Sequence, residues 1–216
     1  MSVKIDRVIK AIEEAKSKAK PRRFVQSYEM VVKLRDIDVK QSENRFVELV
    51  VLPYPPPDKL STVAVIAEGD LMLRAKEAGA DVVLSRADLE KIAASKKEAK
   101  KLAKKYDVFL AQADLMPLVG RLLGRYLGPR AKMPQPILPS ADLAAAIDRA
   151  KRSVRIKLRD QPQIACKIGS EIQNPKEVAE NAATVLSFLL NRFKPYNIEK
   201  VYLKLSMGPP VEVTVI

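Results

Sequence analysis

Histidine and tryptophan are absent from this sequence of 216 residues, and cysteine occurs once, at Cys166. Without histidine the chain lacks the usual general base and proton shuttle, and also the commonest side-chain ligand of transition metals. A single cysteine excludes an intrachain disulfide, which is typical of a reducing compartment. We therefore expect a cytoplasmic protein that is not an enzyme and that binds no metal or other cofactor.

Aromatic residues make up 5% of the chain. Broad stacking on single-stranded bases is therefore not the expected mode of binding nucleic acid. No apolar run approaches the ~20 residues that a membrane-spanning helix needs. The first 20 residues are charged and amphipathic, unlike a secretory signal. The sequence thus predicts neither a membrane partner nor a general single-strand binder.

Positive charge is present in excess, since 39 lysines and arginines face 26 aspartates and glutamates and give a net charge of +13. Residues 1–62, 63–153 and 154–216 each carry a net positive charge, so the excess is not confined to a basic tail. Hydrophobic residues make up 47% of the chain, enough for a folded core. A protein this basic attracts polyanions, so nucleic acid is the expected partner. The alternative is a basic protein that has no nucleic-acid partner.

The two ends of the chain share one pattern, in which amphipathic helices accompany strands of alternating polarity. The N-terminal end is predicted to contain a helix over 3–18 and strands over 28–37 and 45–52, and the polar link 38–44 predicts that these strands form a hairpin. The C-terminal end is predicted to contain strands at 154–158, 163–168, 198–206 and 211–215 and a helix at 176–193.

The middle of the chain alternates short apolar runs with helical patterns, which is typical of a parallel sheet covered on both faces. Strands are predicted at 62–67, 81–84 and 108–111. Helices are predicted at 71–78, 87–106, 115–127 and 141–152, the last with Ser140 as its N-cap.

Neither end alone offers enough apolar surface for a stable core, so we expect the ends to combine into one domain. The predicted fold class is α/β. Residues 1–62 and 154–216 form a split α+β domain whose antiparallel sheet comes from both termini. Residues 63–153 form an inserted, Rossmann-like, three-layer α/β domain.

The inserted domain raises the alternative of a nucleotide-dependent enzyme. Glycine spacing argues against it, because the turn after the first predicted strand reads Ala67-Glu68-Gly69-Asp70 and has no phosphate-binding glycine motif. Glu68 and Asp70 would repel a phosphate at that turn. Without histidine, nucleophilic triads are excluded as well.

Three segments remain as candidate binding sites. The run 96–105 holds six lysines and fits a phosphate-binding face or, more simply, a solvated helix surface. Segment 127–136 carries Arg130 and Lys132 among three prolines and fits either a rigid basic loop or a plain connection between helices. Segment 204–210 ends a strand with a hydroxyl, a flexible apolar side chain and a glycine, which suits close approach of RNA; an ordinary hairpin turn is the alternative.

Segments 127–136 (LGPRAKMPQP) and 205–213 (LSMGPPVEV) resemble the family of the universal ribosomal protein of the large subunit's lateral stalk, known as ribosomal protein L-one. The first segment is close to the family pattern GPxxxMP, and the short MGP motif is specific in combination with it. The chain looks like the archaeal form, and the resemblance covers essentially the whole length.

The resemblance implies that RNA binds mainly to the split domain. The family's strand motif F-x-x-[ST]-x-E matches Phe24, Ser27 and Glu29, and its terminal [ST]-M-G matches Ser206, Met207 and Gly208. Further RNA-binding positions implied beside these motifs are Arg23, Lys167, Gly169, Lys204 and Pro209. Arg130 and Lys132 form an implied secondary basic loop.

The resemblance further implies a structural ribosomal protein that binds large-subunit rRNA at the lateral stalk. It also implies contact with exit-site tRNA that assists tRNA release, and repression of translation through binding of the protein's own mRNA. The free protein is expected to be a monomer. A nonspecific RNA chaperone stays open as an alternative, besides the nucleotide-dependent enzyme.

Overall fold

The computed structural model describes residues 4–214, and the chain divides into two compact units. The first unit contains the chain up to Leu60 and from Arg152 onwards, and the second contains Ser61–Lys151. The first has an antiparallel four-stranded sheet and the second a parallel one, which confirms the predicted α/β class. None of the described helices is both long and apolar enough to cross a lipid bilayer.

The first unit is built on an antiparallel sheet to which both ends of the chain contribute, in the order β10–β9–β1–β8. Its strands are β1 (Ser27–Leu34), β8 (Gln163–Ser170), β9 (Ile198–Leu205) and β10 (Val211–Val213). Two helices that contact each other, α1 (Ile5–Lys18) and α7 (Pro175–Arg192), contribute to the same apolar core. Because side chains alternate along a strand, β1 buries Tyr28, Met30 and Val32 in this core and leaves the neighbouring positions on the opposite face.

A second, two-stranded sheet in this unit pairs β2 (Phe46–Val51) with β7 (Ser153–Leu158). The predicted hairpin between strands 28–37 and 45–52 is therefore wrong. Strand β1 has β8 on one side and β9 on the other, so neither of its edges is open to β2. The link between β1 and β2 also departs from a simple turn, because it holds a 3₁₀-helix at Ser42–Asn44 and Asp36 has a φ of 58°.

The second unit is a three-layer α/β structure around a parallel sheet with the order β4–β3–β5–β6. The strands are β3 (Val63–Ile66), β4 (Val82–Leu84), β5 (Val108–Gln112) and β6 (Gln135–Ile137). The helices are α2 (Asp70–Glu77), α3 (Arg86–Ala94), α4 (Lys96–Lys105), α5 (Met116–Leu127) and α6 (Leu143–Lys151). Helices α3, α4 and α5 pack with Ile66 and Phe109 on one face of the sheet, whereas α2 and α6 contact each other and β3.

The predicted helix over 87–106 is two helices, because Ser95 interrupts it. Ser95 has an extended backbone, with φ −109° and ψ 110°, and its side chain accepts a hydrogen bond from the N–H of Glu98 at 3.4 Å. It therefore ends α3 and caps α4, since a serine hydroxyl competes with the helical backbone for hydrogen bonds. Charge patterning alone could not locate this break.

Two further local predictions are wrong. Asp142, not Ser140, caps α6, because its carboxylate accepts the N–H of Ala145 at 3.2 Å and the helix begins at Leu143. Segment 127–136 does not join two helices either, since Gln135–Ile137 forms β6 beside β5. The predicted starting residue Val3 of the first helix and the predicted end Val215 of the last strand lie outside the described residues.

Candidate nucleic-acid interface

Strand register brings most of the predicted site residues to one end of the antiparallel sheet. Glu29 of β1 lies opposite Lys167 of β8 and opposite Lys204 of β9. Ser27 begins β1, and Ser206 directly follows β9. These positions alternate with the buried core residues, so their side chains belong to the face opposite the core.

Ser206 joins the end of β9 to the start of β1. Its N–H donates to the carbonyl oxygen of Ser27 at 3.0 Å, and its hydroxyl donates to Oε1 of Glu29 at 3.0 Å. Oε2 of Glu29 lies 3.5 Å from Nζ of Lys204, which donates to the carbonyl oxygen of Ser206 at 2.8 Å. Glu29 thus fixes the positions of the Ser206 hydroxyl and the Lys204 ammonium group.

Met207 follows with its side chain 58% exposed. Its N–H donates to Oε1 of Gln26 at 3.1 Å, and Gln26 is fully buried. We call the surface formed by Ser27, Glu29, Lys204, Ser206 and Met207 the Met207 patch. It presents a flexible apolar side chain on a hydrogen-bonded base in which Lys204 is paired with Glu29, and this suits close contact with a folded nucleic acid.

A side chain at either of the two predicted glycines would meet neighbouring residues. A Cβ at Gly208 would lie 3.2 Å from Cβ of Ala19 and 3.4 Å from Cβ of Leu205. A Cβ at Gly169 would lie 2.8 Å from Cγ2 of Val178 on α7. Gly169 is buried and therefore lets the helix approach the sheet. Pro209 follows the Met207 patch and is exposed.

Lys167 is half-buried, and its Nζ donates to the carbonyl oxygen of Lys59 at 2.6 Å. Nζ of Lys59 in turn donates to the carbonyl oxygen of Val25 at 2.5 Å and to the hydroxyl of Ser27 at 2.9 Å. The segment around Lys59 therefore borders the Met207 patch. Sequence reasoning missed Lys59, because the residue follows a proline-rich run and carries no motif.

Arg23 and Phe24 precede β1 and are both exposed. Phe24 is 54% exposed. Arg23 and Phe24 line one groove with Ile172, a residue that the sequence analysis did not single out. Cationic and apolar groups therefore extend the candidate surface beyond the start of β1.

Two ionisable side chains lie beneath this surface in the core. Burial raises the pKa of Tyr28 to about 12, with a smaller contribution from the negative charge of Glu171. Burial also raises the pKa of the Cys166 thiol to about 12. Because the thiolate is the nucleophilic form, a buried thiol with so high a pKa is a packing residue.

The predicted secondary basic loop does not act as a unit. Arg130 is exposed. Lys132 is largely buried, and its Nζ donates to the carbonyl oxygen of Tyr106 at 2.5 Å and lies 3.5 Å from a carboxylate oxygen of Asp107. Lys132 therefore ties its loop to the end of α4, and of the two predicted cations only Arg130 is exposed to solvent.

The carboxyl edge of the parallel sheet, where doubly wound folds bind nucleotides, is acidic here. Glu68 follows β3, and its N–H donates to the side-chain oxygen of Gln112 at 3.2 Å. The Gln112 amide donates to the carboxylate of Asp114 at 3.3 Å, and Asp70 begins α2 nearby in sequence. Carboxylates at this edge oppose binding of a nucleotide phosphate, as the sequence indicates.

The fold and the Met207 patch together define an α/β protein with an exposed surface that suits a folded nucleic acid. Comparison with known proteins identifies the family. The sequence profile of the ribosomal protein L1p/L10e family matches residues 11–209. The chain belongs to this family of structural ribosomal proteins, which confirms the resemblance and the expectation that it is not an enzyme.

Archaeal relatives resemble the chain over nearly its full length. It is 60% identical over 205 residues to the large ribosomal subunit protein uL1 of Thermofilum pendens, covering 94% of this chain and 91% of the relative. It is 46% identical over 213 residues to uL1 of Aeropyrum pernix, covering 97% of each chain. It is 46% identical over 215 residues to uL1 of Archaeoglobus fulgidus, covering 99% of this chain and 100% of the relative. Ribosomal proteins of this family act in the cytoplasm, as the sequence predicts.

Proposed function

We propose that this protein is a structural component of the large ribosomal subunit and binds a folded element of its rRNA at the lateral stalk. Family membership and the names of the relatives support the ribosomal role. The observation that supports this binding site is the Met207 patch, where the backbone N–H of an exposed methionine is hydrogen-bonded to a fully buried glutamine. Recognition then relies on the shape of the RNA, with phosphates neutralised by lysine and arginine side chains.

The patch has the properties that shape recognition requires. Its backbone is fixed by hydrogen bonds between Ser206, Ser27 and Glu29, so little conformational entropy is lost on binding. The Met207 side chain remains flexible and adapts to a ribose or base face. Lys204 supplies a donor for a phosphate or 2′-hydroxyl oxygen, and the hydroxyl oxygen of Ser206 can accept a hydrogen bond from a 2′-hydroxyl.

Two further activities belong to the same proposal. The protein binds a similar folded element in its own mRNA and thereby represses translation. On the ribosome it contacts exit-site tRNA and assists tRNA release. Both rest on the family resemblance, and for the mRNA the same Met207 patch would be used. We also propose that the free protein is a monomer.

A salt titration tests the central proposal. The protein is titrated with a labelled lateral-stalk fragment of large-subunit rRNA and, in parallel, with a scrambled hairpin of equal length. Specific recognition requires that the stalk fragment stay bound at salt concentrations that release the scrambled RNA, because nonspecific binding is mainly counterion release. Release of both RNAs over the same salt range would leave a nonspecific RNA chaperone as the better description.

A further inference from the structure

A groove lies next to the Met207 patch. Its cationic residues are Lys16, Arg22 and Arg23, and its apolar residues are Phe24, Val25 and Ile172. Lys16 comes from the last turn of α1, the run 22–25 precedes β1, and Ile172 lies in the turn between β8 and α7. Three segments distant in sequence thus build one surface, and we call it the Ile172 groove.

The apolar side chains in this groove are exposed and are not part of the hydrophobic core of the first unit. Ile172 is 61% exposed, Phe24 is 54% exposed and Val25 is 38% exposed. A single exposed apolar residue needs no explanation, but three that share one groove mark a binding surface.

The Ile172 groove is held in shape by hydrogen bonds beneath it. The N–H of Gln26 donates to Oε2 of Glu171 at 3.1 Å, and the N–H of Glu171 donates to the carbonyl oxygen of Gln26 at 2.9 Å. The turn that carries Ile172 is closed by the N–H of Gln173, which donates to the carbonyl oxygen of Ser170 at 3.0 Å. Ile172 is therefore presented on a fixed backbone.

The charges distinguish between possible occupants. Arg22, Arg23 and Lys16 favour an anion, whereas the carboxylate of Glu171 also lines the groove and opposes one. A bare phosphate ion is attracted by these cations and repelled by Glu171, and it gains nothing from the apolar side chains. A nucleotide unit of RNA suits all three features, because its base has a flat apolar face and N–H donors and its phosphate carries the charge.

We infer that the Ile172 groove receives one unstacked nucleobase of the bound RNA, with Ile172 against the face of the base and the arginines at the adjoining phosphates. This inference rests on the proposed function and extends its site from the Met207 patch to the turn before α7. Continuity supports it, because Gln26 bonds to Met207 on one side and to Glu171 on the other.

The first test replaces Ile172 and measures binding of the labelled stalk fragment by fluorescence anisotropy. We expect Ile172→Ser to weaken binding roughly fivefold to tenfold, since contact with one base supplies an effect of that order. Leu73→Ser is the matched control, because Leu73 is 59% exposed and lies on α2 of the other unit. The control is expected to change affinity less than about twofold.

The second test identifies the base. A series of stalk fragments is prepared, each with one unpaired nucleotide made abasic. One of these RNAs should bind the unaltered protein about tenfold more weakly, and Ile172→Ser should then cause no further loss with that RNA. Such non-additivity is expected only if Ile172 and the missing base are in contact.

The outcomes separate the inference from the proposed function. If the unaltered protein prefers the stalk fragment but Ile172→Ser binds as tightly as the Leu73→Ser control, the inference is overturned and the proposed function stands. The same holds if Ile172→Ser weakens every abasic RNA by an equal factor. If the unaltered protein binds stalk and scrambled RNA alike, the proposed function fails, and the inference fails with it.

Discussion

The side-chain oxygen of Gln26 accepts a hydrogen bond from the backbone N–H of Met207 at 3.1 Å, across 181 positions of sequence. The same glutamine has no exposed surface, and its backbone pairs with Glu171. Through its side chain Gln26 thus fixes the backbone of an exposed methionine, and through its backbone it fixes the turn that carries Ile172. Gln26 is a positioning residue, since it has no surface with which to touch RNA.

Replacing Gln26 should therefore affect both stability and binding. Gln26→Leu removes the acceptor of the Met207 N–H, a part-buried hydrogen bond, and we expect the free energy of unfolding to fall by about 0.5–1.5 kcal/mol. Stalk RNA should bind more weakly at a temperature where the variant is folded, because Met207 loses its fixed position. Denaturant unfolding and RNA anisotropy measure the two effects. Gln135→Leu, at an exposed position of β6, is the control and should change neither.

Met207→Ala tests the exposed part of the Met207 patch. Because 58% of its surface is exposed, its removal should leave the unfolding midpoint nearly unchanged. Affinity for stalk RNA should fall roughly fivefold to tenfold, since an apolar contact is lost. Leu138→Ala, at an apolar residue 63% exposed in the second unit, is the control variant. Equal affinity of the two variants would remove Met207 from the binding site.

Because the glycine at position 208 suits close approach of RNA, the sequence suggests that Gly208→Val blocks binding without harming the fold. A side chain there would press on Ala19 and Leu205, however, so a loss of binding by this variant would be ambiguous. Met207→Ala avoids the ambiguity, because it removes atoms from a surface and adds none.

A pair of glycine substitutions should have opposite signs. Gly169→Ala places a Cβ 2.8 Å from Val178 on α7, so it should lower the free energy of unfolding by about 1–3 kcal/mol through overpacking. Gly120 lies in α5 with open space around it, so Gly120→Ala should raise stability by about 0.5–1 kcal/mol. Urea unfolding of both variants beside the unaltered protein measures the difference. A destabilising Gly120→Ala or a neutral Gly169→Ala would contradict the packing described here.

Alkaline pH should destabilise the first unit. Burial raises the pKa values of Tyr28 and Cys166 to about 12, above their ordinary values of 10.0 and 9.0. The unfolded chain therefore releases these protons first, so the stability that they contribute is complete below pH 9 and declines as the pH rises toward 12. Chemical unfolding between pH 8 and pH 11.5 measures the decline. Cys166→Ala should decline less steeply between pH 9 and pH 10, whereas an identical slope would contradict the buried thiol.

Regular patterns in the sequence predict much of this fold, and the errors arise from the choice of strand partners and from single polar residues. Alternation correctly identifies β1 as a strand, yet it cannot tell that β8 and β9 occupy both of its edges. Hydrophobic spacing over 87–106 suits a helix throughout, and the capping hydroxyl of Ser95 divides it. The pairing of β1 and the break at Ser95 depend on competition between strand partners and between hydrogen bonds, and short stretches of sequence do not reveal which competitor wins.

The candidate site likewise contains residues that the sequence predicts and residues that only the fold brings into it. Its exposed members, such as Met207 and Phe24, come from motifs that resemble a known family. Gln26 and Glu171 carry no motif, because their role arises only when segments 145 positions apart in sequence meet. Lys132 is the opposite case, because it belongs to a motif but its ammonium group ties its loop to the end of α4. Burial decides these roles, and burial follows from the complete fold.

The lysines of α4 provide the last prediction. None of the six forms an ion pair within the part of the chain that the structure describes, although they repel one another at helical spacing. If the Met207 patch carries recognition, Lys97→Ala combined with Lys101→Ala should weaken stalk RNA binding less than about twofold at 0.15 M salt. Met207→Ala in the same titration is the comparison. A larger loss in the double lysine variant, with a salt dependence reduced by about two counterions, would place two phosphate contacts on α4 and move the main footprint to the second unit.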